Sequence, residues 1–213
     1  MAIALQNPPL FYTIDTALQL VSMLIALLIV GFSYKAYKFT KDKRYYYYSV
    51  AFALIAAAFF VKALSNVIIY YIVPSPEANL LPVFNWGIFA YRILMMLAFT
   101  GIMLMTLKIT DRRVVLLLLV FALFSAVASK DHNTAFYILY IIILGATSTQ
   151  LYLNYKLKKS RLGLATFGIF AILTLAQALF LALILDFYFE IGLGALLYYA
   201  GQAFQITSFL LLF

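Results

Sequence analysis

The chain has 213 residues, 67% of them hydrophobic and 10% charged, with a mean hydropathy of +1.05. Soluble domains are about half apolar and a quarter charged; here there are too few polar side chains to cover a water-facing surface, and disorder, which needs low hydrophobicity, is excluded more firmly. With no cysteine there are no disulfides, thiolate metal sites or cysteine nucleophiles, and the remaining fold class is an all-α, multi-span membrane bundle.

A spanning helix needs about 20 mostly apolar residues. The sequence predicts a single transmembrane domain over 1–213, with spans at 15–39, 45–73, 84–108, 114–129, 134–155, 162–185 and 191–213. The first is expected to be an uncleaved anchor, because it lacks a positive start and Pro8 and Pro9 precede its apolar run. The fourth is the shortest, with a charge-free core of only about 24 Å as a helix. It needs a thin bilayer or help from its flanks. Its bulky stretch 114–121 suits a peripheral, lipid-facing position. No soluble output domain is expected.

The net charge is +8, and twelve of the fifteen basic residues fall in three joins. These are Lys35, Lys38, Lys41, Lys43 and Arg44; Lys108, Arg112 and Arg113; and Lys156, Lys158, Lys159 and Arg161. Seven spans put all three on one side, with Asp15, Glu77, Asp131, Asp186 and Glu190 opposite. Positive loops stay in the cytoplasm, so the N-terminus is expected outside, the C-terminus inside and the location in the cell membrane. The charge is read as a topology signal and not as a nucleic-acid footprint, although the clusters also suit anionic headgroups. Tyr45 to Tyr48 with Tyr34, Tyr37, Tyr152 and Tyr155, and at the other end Tyr70, Tyr71 and Tyr188, form interfacial aromatic belts.

Residues 37–41 and 49–55 align without a gap with 155–159 and 167–173, and Tyr91 and Tyr199 fall similarly within spans three and seven. A 3+1+3 parallel repeat, with span four as linker, is the expectation; parallel repeats occur among transporters. In topology this plan resembles SWEET-type sugar transporters and seven-helix receptors. The Pro-Gln pair of PQ-loop proteins is absent, and the seventh span has no lysine for a retinal Schiff base. The hairpin 34–60, a basic tyrosine-rich turn followed by an apolar span, is similar to one in archaeal seven-helix proteins and, more loosely, to the sensor modules that precede histidine kinases. This resemblance transfers no functional residue.

Ionisable residues within spans are the default functional clue in such a chain. There are two, Lys62 and Arg92. Both fall in the outer half, on neighbouring spans, and two such cations need neutralising. The expected partners are Asp186 and Glu190, or an anionic ligand entering from outside. Asn66, one turn from Lys62, joins Asn85, Trp86 and Tyr91 as polar candidates. Tyr198, Gln202 and Gln205 reach a similar depth at helical spacing, and Gln177 lies midway along span six. The functional reading is an outward-facing pocket for a small anion or carboxylate. Arg92 is its main contact, Lys62 its second charge, and the remaining groups orient the ligand. The structural readings are snorkelling, ion pairs that lock the bundle, and glutamines as interhelical glue.

No catalytic reading is supported. The only histidine, His132, is in a loop beside Asp131, and a metal site would need further ligands. No intramembrane carboxylate pair or Ser–His pair is expected, and no cofactor is implied. Three functions remain: a sensory or ligand-binding seven-helix module that uses a membrane or cytoplasmic partner, a small-solute transporter, and an accessory subunit of a membrane complex. Transport needs polar groups on the cytoplasmic side, whereas 24–29, 52–58 and 103–105 are apolar throughout.

Overall fold

The computed structural model describes residues 8–68, 81–109, 111–128, 133–189 and 193–212. Among these residues there is no strand, and seven helices follow one another: α1 (Pro8–Thr40), α2 (Lys43–Val67), α3 (Leu81–Thr106), α4 (Arg112–Ala128), α5 (Asn133–Lys158), α6 (Arg161–Phe189) and α7 (Gly194–Leu212). Six are long and apolar enough to cross a membrane; α4, with 17 residues, falls short. Two boundaries differ from expectation in a way that matters. α1 begins at Pro8, seven residues before the predicted start at Asp15. Proline is tolerated in a first helical turn, where its missing N–H has no partner to lose, so the helix runs on through the prolines and Asp15 lies within it. α6 likewise continues to Phe189, which places Asp186 in a helix and not in a loop.

Side-chain contacts give the helix directions. α1 and α2 are antiparallel: Ser49 Oγ donates to Val30 O at 3.3 Å, and at the other end Asn66 Nδ2 donates to Asp15 Oδ2 at 2.8 Å. α3 and α5 run the same way, because the Arg92 guanidinium lies over Phe136 while Phe99 packs on Tyr140. α4 therefore carries the chain back from the end of α3 to the start of α5. Followed through its contacts, the bundle runs α1–α2–α3–α5–α6–α7 and closes from α7 to α1, with α4 set mainly against α3. α4 buries its small residues Ala122, Ser125 and Ala126 and turns Leu116, Leu117, Phe121 and Phe124 outward. In water that exposed row would be a liability; against lipid it is an ordinary surface.

The C-terminal ends of α1, α3 and α5 lie together and, with the turns and helix starts that follow them, carry the twelve clustered cations. Each of these helices is followed by a lysine in the left-handed region: Lys41 (φ 56), Lys108 (φ 57) and Lys159 (φ 47). Lys41 N donates to Tyr37 O at 2.8 Å and Lys159 N to Tyr155 O at 2.6 Å, the hydrogen bond of a left-handed helix cap. Asp42 then accepts from Arg44 N at 2.9 Å, and Ser160 Oγ from Gly163 N at 3.0 Å, to cap the next helix.

Buried apolar side chains from all seven helices, among them Phe52, Phe59, Met95, Phe99, Tyr140, Leu144, Phe170 and Phe209, form the core. α2 and α3 approach closely at Gly87. A Cβ there would meet Ser65 Oγ at 1.8 Å and Ser65 Cβ at 2.7 Å, whereas one at Gly101 meets nothing within 4 Å. Gly87→Ala is expected to destabilise by about 1–3 kcal/mol through overpacking. Gly101→Ala should be neutral or gain up to about 1 kcal/mol of helix propensity. Thermal unfolding in detergent should rank them in that order around wild type.

Candidate functional site

The polar centre of the bundle is Asp15, which the sequence places at the very start of the first span, among the charges of that end. Its carboxylate is buried and is held from three helices. On α1, Gln19 Nε2 donates to Oδ1 at 2.9 Å. On α2, Asn66 Nδ2 donates to Oδ2 at 2.8 Å, and the Lys62 ammonium lies 3.7 Å from Oδ1. On α7, the Tyr198 hydroxyl donates to Oδ1, and Gln202 Nε2 donates to that hydroxyl at 3.3 Å. An isolated carboxylate in such surroundings would be prohibitive; one cation and three neutral donors make it tenable. Asp15, Gln19 and Ser22 are one face of α1, spaced by four and three residues, and all are buried.

The cluster lies far from the basic end of the bundle. Lys62 is nineteen residues along α2 from Lys43, about 28 Å away, and Asp15 is twenty-five residues along α1 from Thr40, about 37 Å away. Against a hydrocarbon thickness of about 30 Å, this is the opposite interface.

The predicted site residues separate into two groups. Lys62, Asn66, Tyr198 and Gln202 come together on Asp15. Tyr91 joins them at the edge, its ring 5.4 Å from Lys62 Nζ and packed on Phe59. Gln205 sits one turn further along α7 and accepts from Gln177 Nε2 at 3.4 Å, which ties α7 to α6. Arg92 stands apart from this group. It is buried, and its guanidinium stacks 5.5 Å from the Phe136 ring on α5. Adjacent residues on a helix point about 100° apart, so Tyr91 faces Lys62 while Arg92 faces α5, and aromatic faces supply each cation with about 0.5–2 kcal/mol of attraction. Trp86 is 66% exposed and packs against Phe89 on the outside of the bundle. The side chain of Asn85 and all of Glu190 and His132 lie outside the described residues.

Among the described residues one expected pairing changes, that of Lys62; Glu190 lies outside them. Lys62 pairs with Asp15. Asp186 accepts the backbone N–H of Leu193, just before α7, at 3.0 Å. The reason is the extension of both helices: α1 brings Asp15 inside, and α6 commits Asp186 to a local backbone donor. The signal for Asp15 was available in the sequence as three polar residues on one face at the start of an otherwise apolar span. It was hidden by treating every acid near a span end as a loop charge.

Beside Asp15, Gln19 Oε1, Ser22 Oγ and Gln202 Oε1 are buried without a hydrogen-bond partner. α1 and α7 run parallel, and Asp15 touches Tyr198, so Gln19 and Gln202, each four residues further on, lie at one level. Among the deeper hydroxyls, Thr106 bonds back to Ile102 O, Thr147 to Ile143 O and Ser208 to Phe204 O, each at 2.8 Å, whereas the buried Thr100 Oγ1 finds no hydrogen-bond partner among the described residues. Such bonds satisfy the side chain without lining a path.

Compared with protein-family models, curated protein sequences and solved structures, the chain finds no match. The site must be read from its own chemistry.

Asp15→Ala leaves Lys62, Asn66, Tyr198 and Gln19 without their acceptor. It is expected to destabilise at the lower end of about 3–5 kcal/mol, because Lys62 keeps 24% exposure. Asp15→Asn should cost less, since the amide retains an acceptor oxygen. In thermal unfolding, the pair Asp15→Asn and Lys62→Met should show a coupling of at least about 0.5 kcal/mol, the double variant being milder than the sum of the singles.

Proposed function

We propose that this protein is a ligand-responsive seven-helix module of the cell membrane, with its N-terminus outside and its C-terminus in the cytoplasm. The single observation that carries this reading is the Asp15–Lys62 pair at the end of the bundle away from the basic turns. The carboxylate is buried, yet the Lys62 side chain that reaches it keeps about a quarter of its surface exposed. A small anion or a carboxylate-bearing molecule arriving from outside competes with Asp15 for Lys62. Once Lys62 turns to the ligand, α1 keeps only its neutral donors from α2 and α7, and its hold on both weakens. α1 runs unbroken from this pair to the basic turn at Lys41, so movement of its outer end reaches the cytoplasmic face, where the exposed cations offer a docking surface for a membrane or cytoplasmic partner protein. Lys62 is the ligand contact in this reading, and Asn66, Tyr91, Tyr198 and Gln202 orient the ligand. Arg92 contributes positive potential from its seat on Phe136.

The second reading, a small-solute transporter on a 3+1+3 repeat, is favoured by a different observation. Exchanging α1–α2–α3 with α5–α6–α7 leaves the neighbours within this ring of six unchanged, α4 apart, and the aligned residues Lys41 and Lys159 share both the left-handed conformation and the hydrogen bond four residues back. Against it stand the apolar inner segments and the self-bonded hydroxyls beneath the cluster.

A thermal-shift screen with small anions and carboxylates separates these ideas. A ligand at about 100 times its Kd stabilises by about 2.7 kcal/mol. The shift is expected to vanish in Lys62→Gln and to appear at lower concentration in Asp15→Asn, where the internal competitor is neutral. A shift that survives Lys62→Gln, or one that Asp15→Asn weakens, sinks the switch. Uptake of the same ligand into liposomes would favour the transporter. Because the chain has no cysteine, orientation is read directly: Lys158→Cys should react with an impermeant maleimide only after the cytoplasmic side is opened.

A further inference from the structure

A cleft of about 530 Å³ lies between α5 and α6, lined by Gly145, Ser148, Tyr152, Phe167, Ala171 and Ala178 with a few neighbours. It is open on its outer side, beside the exposed Tyr152 and Leu175. Its walls are thin because the residues are small. They are also mostly apolar: of Ser148, Thr149 and Thr174 in the lining, the last is spent on Phe170 O at 2.7 Å.

The position of the cleft along the bundle is specific. Tyr152 and Phe167 each lie six residues from the turn between Lys158 and Arg161, about 9 Å away. Gly145 is about 20 Å and Ala178 about 26 Å from it. The cleft thus covers roughly one half of a hydrocarbon core about 30 Å thick, the half on the basic side. The Tyr152 ring packs on Phe167 at 5.2 Å and walls the end nearest that turn. Beyond it Lys156, Lys158, Lys159 and Arg161 are exposed, and no acidic residue occurs anywhere in 134–185 to neutralise them.

We propose that this cleft seats one acyl chain of an anionic phospholipid from the basic-side leaflet, with its phosphate among Lys156, Lys159 and Arg161. The proposal rests on the chain being a membrane protein, but not on the Asp15–Lys62 switch. A hydrocarbon chain restores the dispersion contacts that the thin walls forgo. Each cation near the headgroup favours an anionic lipid by roughly fivefold. The left-handed turn at Lys159 brings the last cations of α5 and the first of α6 to one mouth.

The test is lipid retention, read by native mass spectrometry after exchange with phosphatidylglycerol and phosphatidylcholine of identical chains. Wild type should keep phosphatidylglycerol in clear preference. Lys156→Gln with Arg161→Gln should reduce that preference by roughly 25-fold and leave phosphatidylcholine retention as it was. Gly145→Leu should lose both lipids. An ideal Cβ at Gly145 meets nothing within 4 Å, so the added side chain grows into open space and the melting temperature without lipid should hold; if this variant fails to fold, Ala171→Leu takes its place. Equal retention of the two lipids by wild type overturns the proposal. So does unchanged retention in the cleft-filling variant. If that variant instead abolishes a dimer while lipid stays bound, the occupant is a second copy of the chain and the lipid assignment is wrong. A chain that stays soluble without detergent and takes up no lipid would fail at the membrane reading itself, with its outward apolar rows left to explain.

Discussion

The half of this bundle away from the basic turns is organised around the need to neutralise and solvate one buried carboxylate. Asp15 cannot be placed among apolar helices unless donors reach it, and no single helix carries enough of them. Gln19 on its own helix satisfies part of Oδ1, while Lys62 and Asn66 draw α2 in and Tyr198 draws α7 in. The closure of the ring between α7 and α1 coincides with this contact. Packing of Phe59 and Phe52 against Phe209 continues the same seam toward the basic end. Between transmembrane helices burial of apolar surface gives no net drive, because lipid tails are as apolar as leucine. Polar ties of this kind and close packing are what distinguish one arrangement of the helices from another.

The two intramembrane cations illustrate how charge is managed without water. Lys62 has a carboxylate and the face of Tyr91; Arg92, one residue along α3 from Tyr91, turns the other way and rests on Phe136. Consecutive positions on one helix thus serve opposite sides of the bundle. This keeps the two positive charges on separate supports, and it makes them unequal: Lys62 is reachable and Arg92 is buried. Among the described residues the polar cluster is centred on Lys62 and Asp15.

At the other end the constraint is electrostatic in a different sense. Three helices end in a lysine held in the left-handed conformation, where glycine or asparagine would be easier. A non-glycine residue there costs about 1–2 kcal/mol. The lysines keep a positive charge at each turn, on the face where twelve of the fifteen cations gather. The turns at Lys41 and Lys159 share this conformation, with Asp42 and Ser160 capping the following helices. The small inward stripe of α4 packs on α3, and its bulky outward face fits a helix whose task is to return the chain.

Composition and spacing alone determined a helical membrane bundle. Long apolar runs have to satisfy their backbone groups internally, and the clustered cations mark one end whatever the packing. Lys62, Asn66, Tyr198 and Gln202 were legible as site residues for the same reason: polar groups in apolar spans are few and conspicuous. Their partner was not legible. Whether Asp15 belongs to a loop or a span depended on a helix running through two prolines, and whether Asp186 or Asp15 meets Lys62 depended on which helices are neighbours. Hydropathy has no information on either. Helix adjacency and the direction each side chain takes from its helix arise only when the bundle closes, because they are set by contacts between residues as far apart as Asp15 and Tyr198.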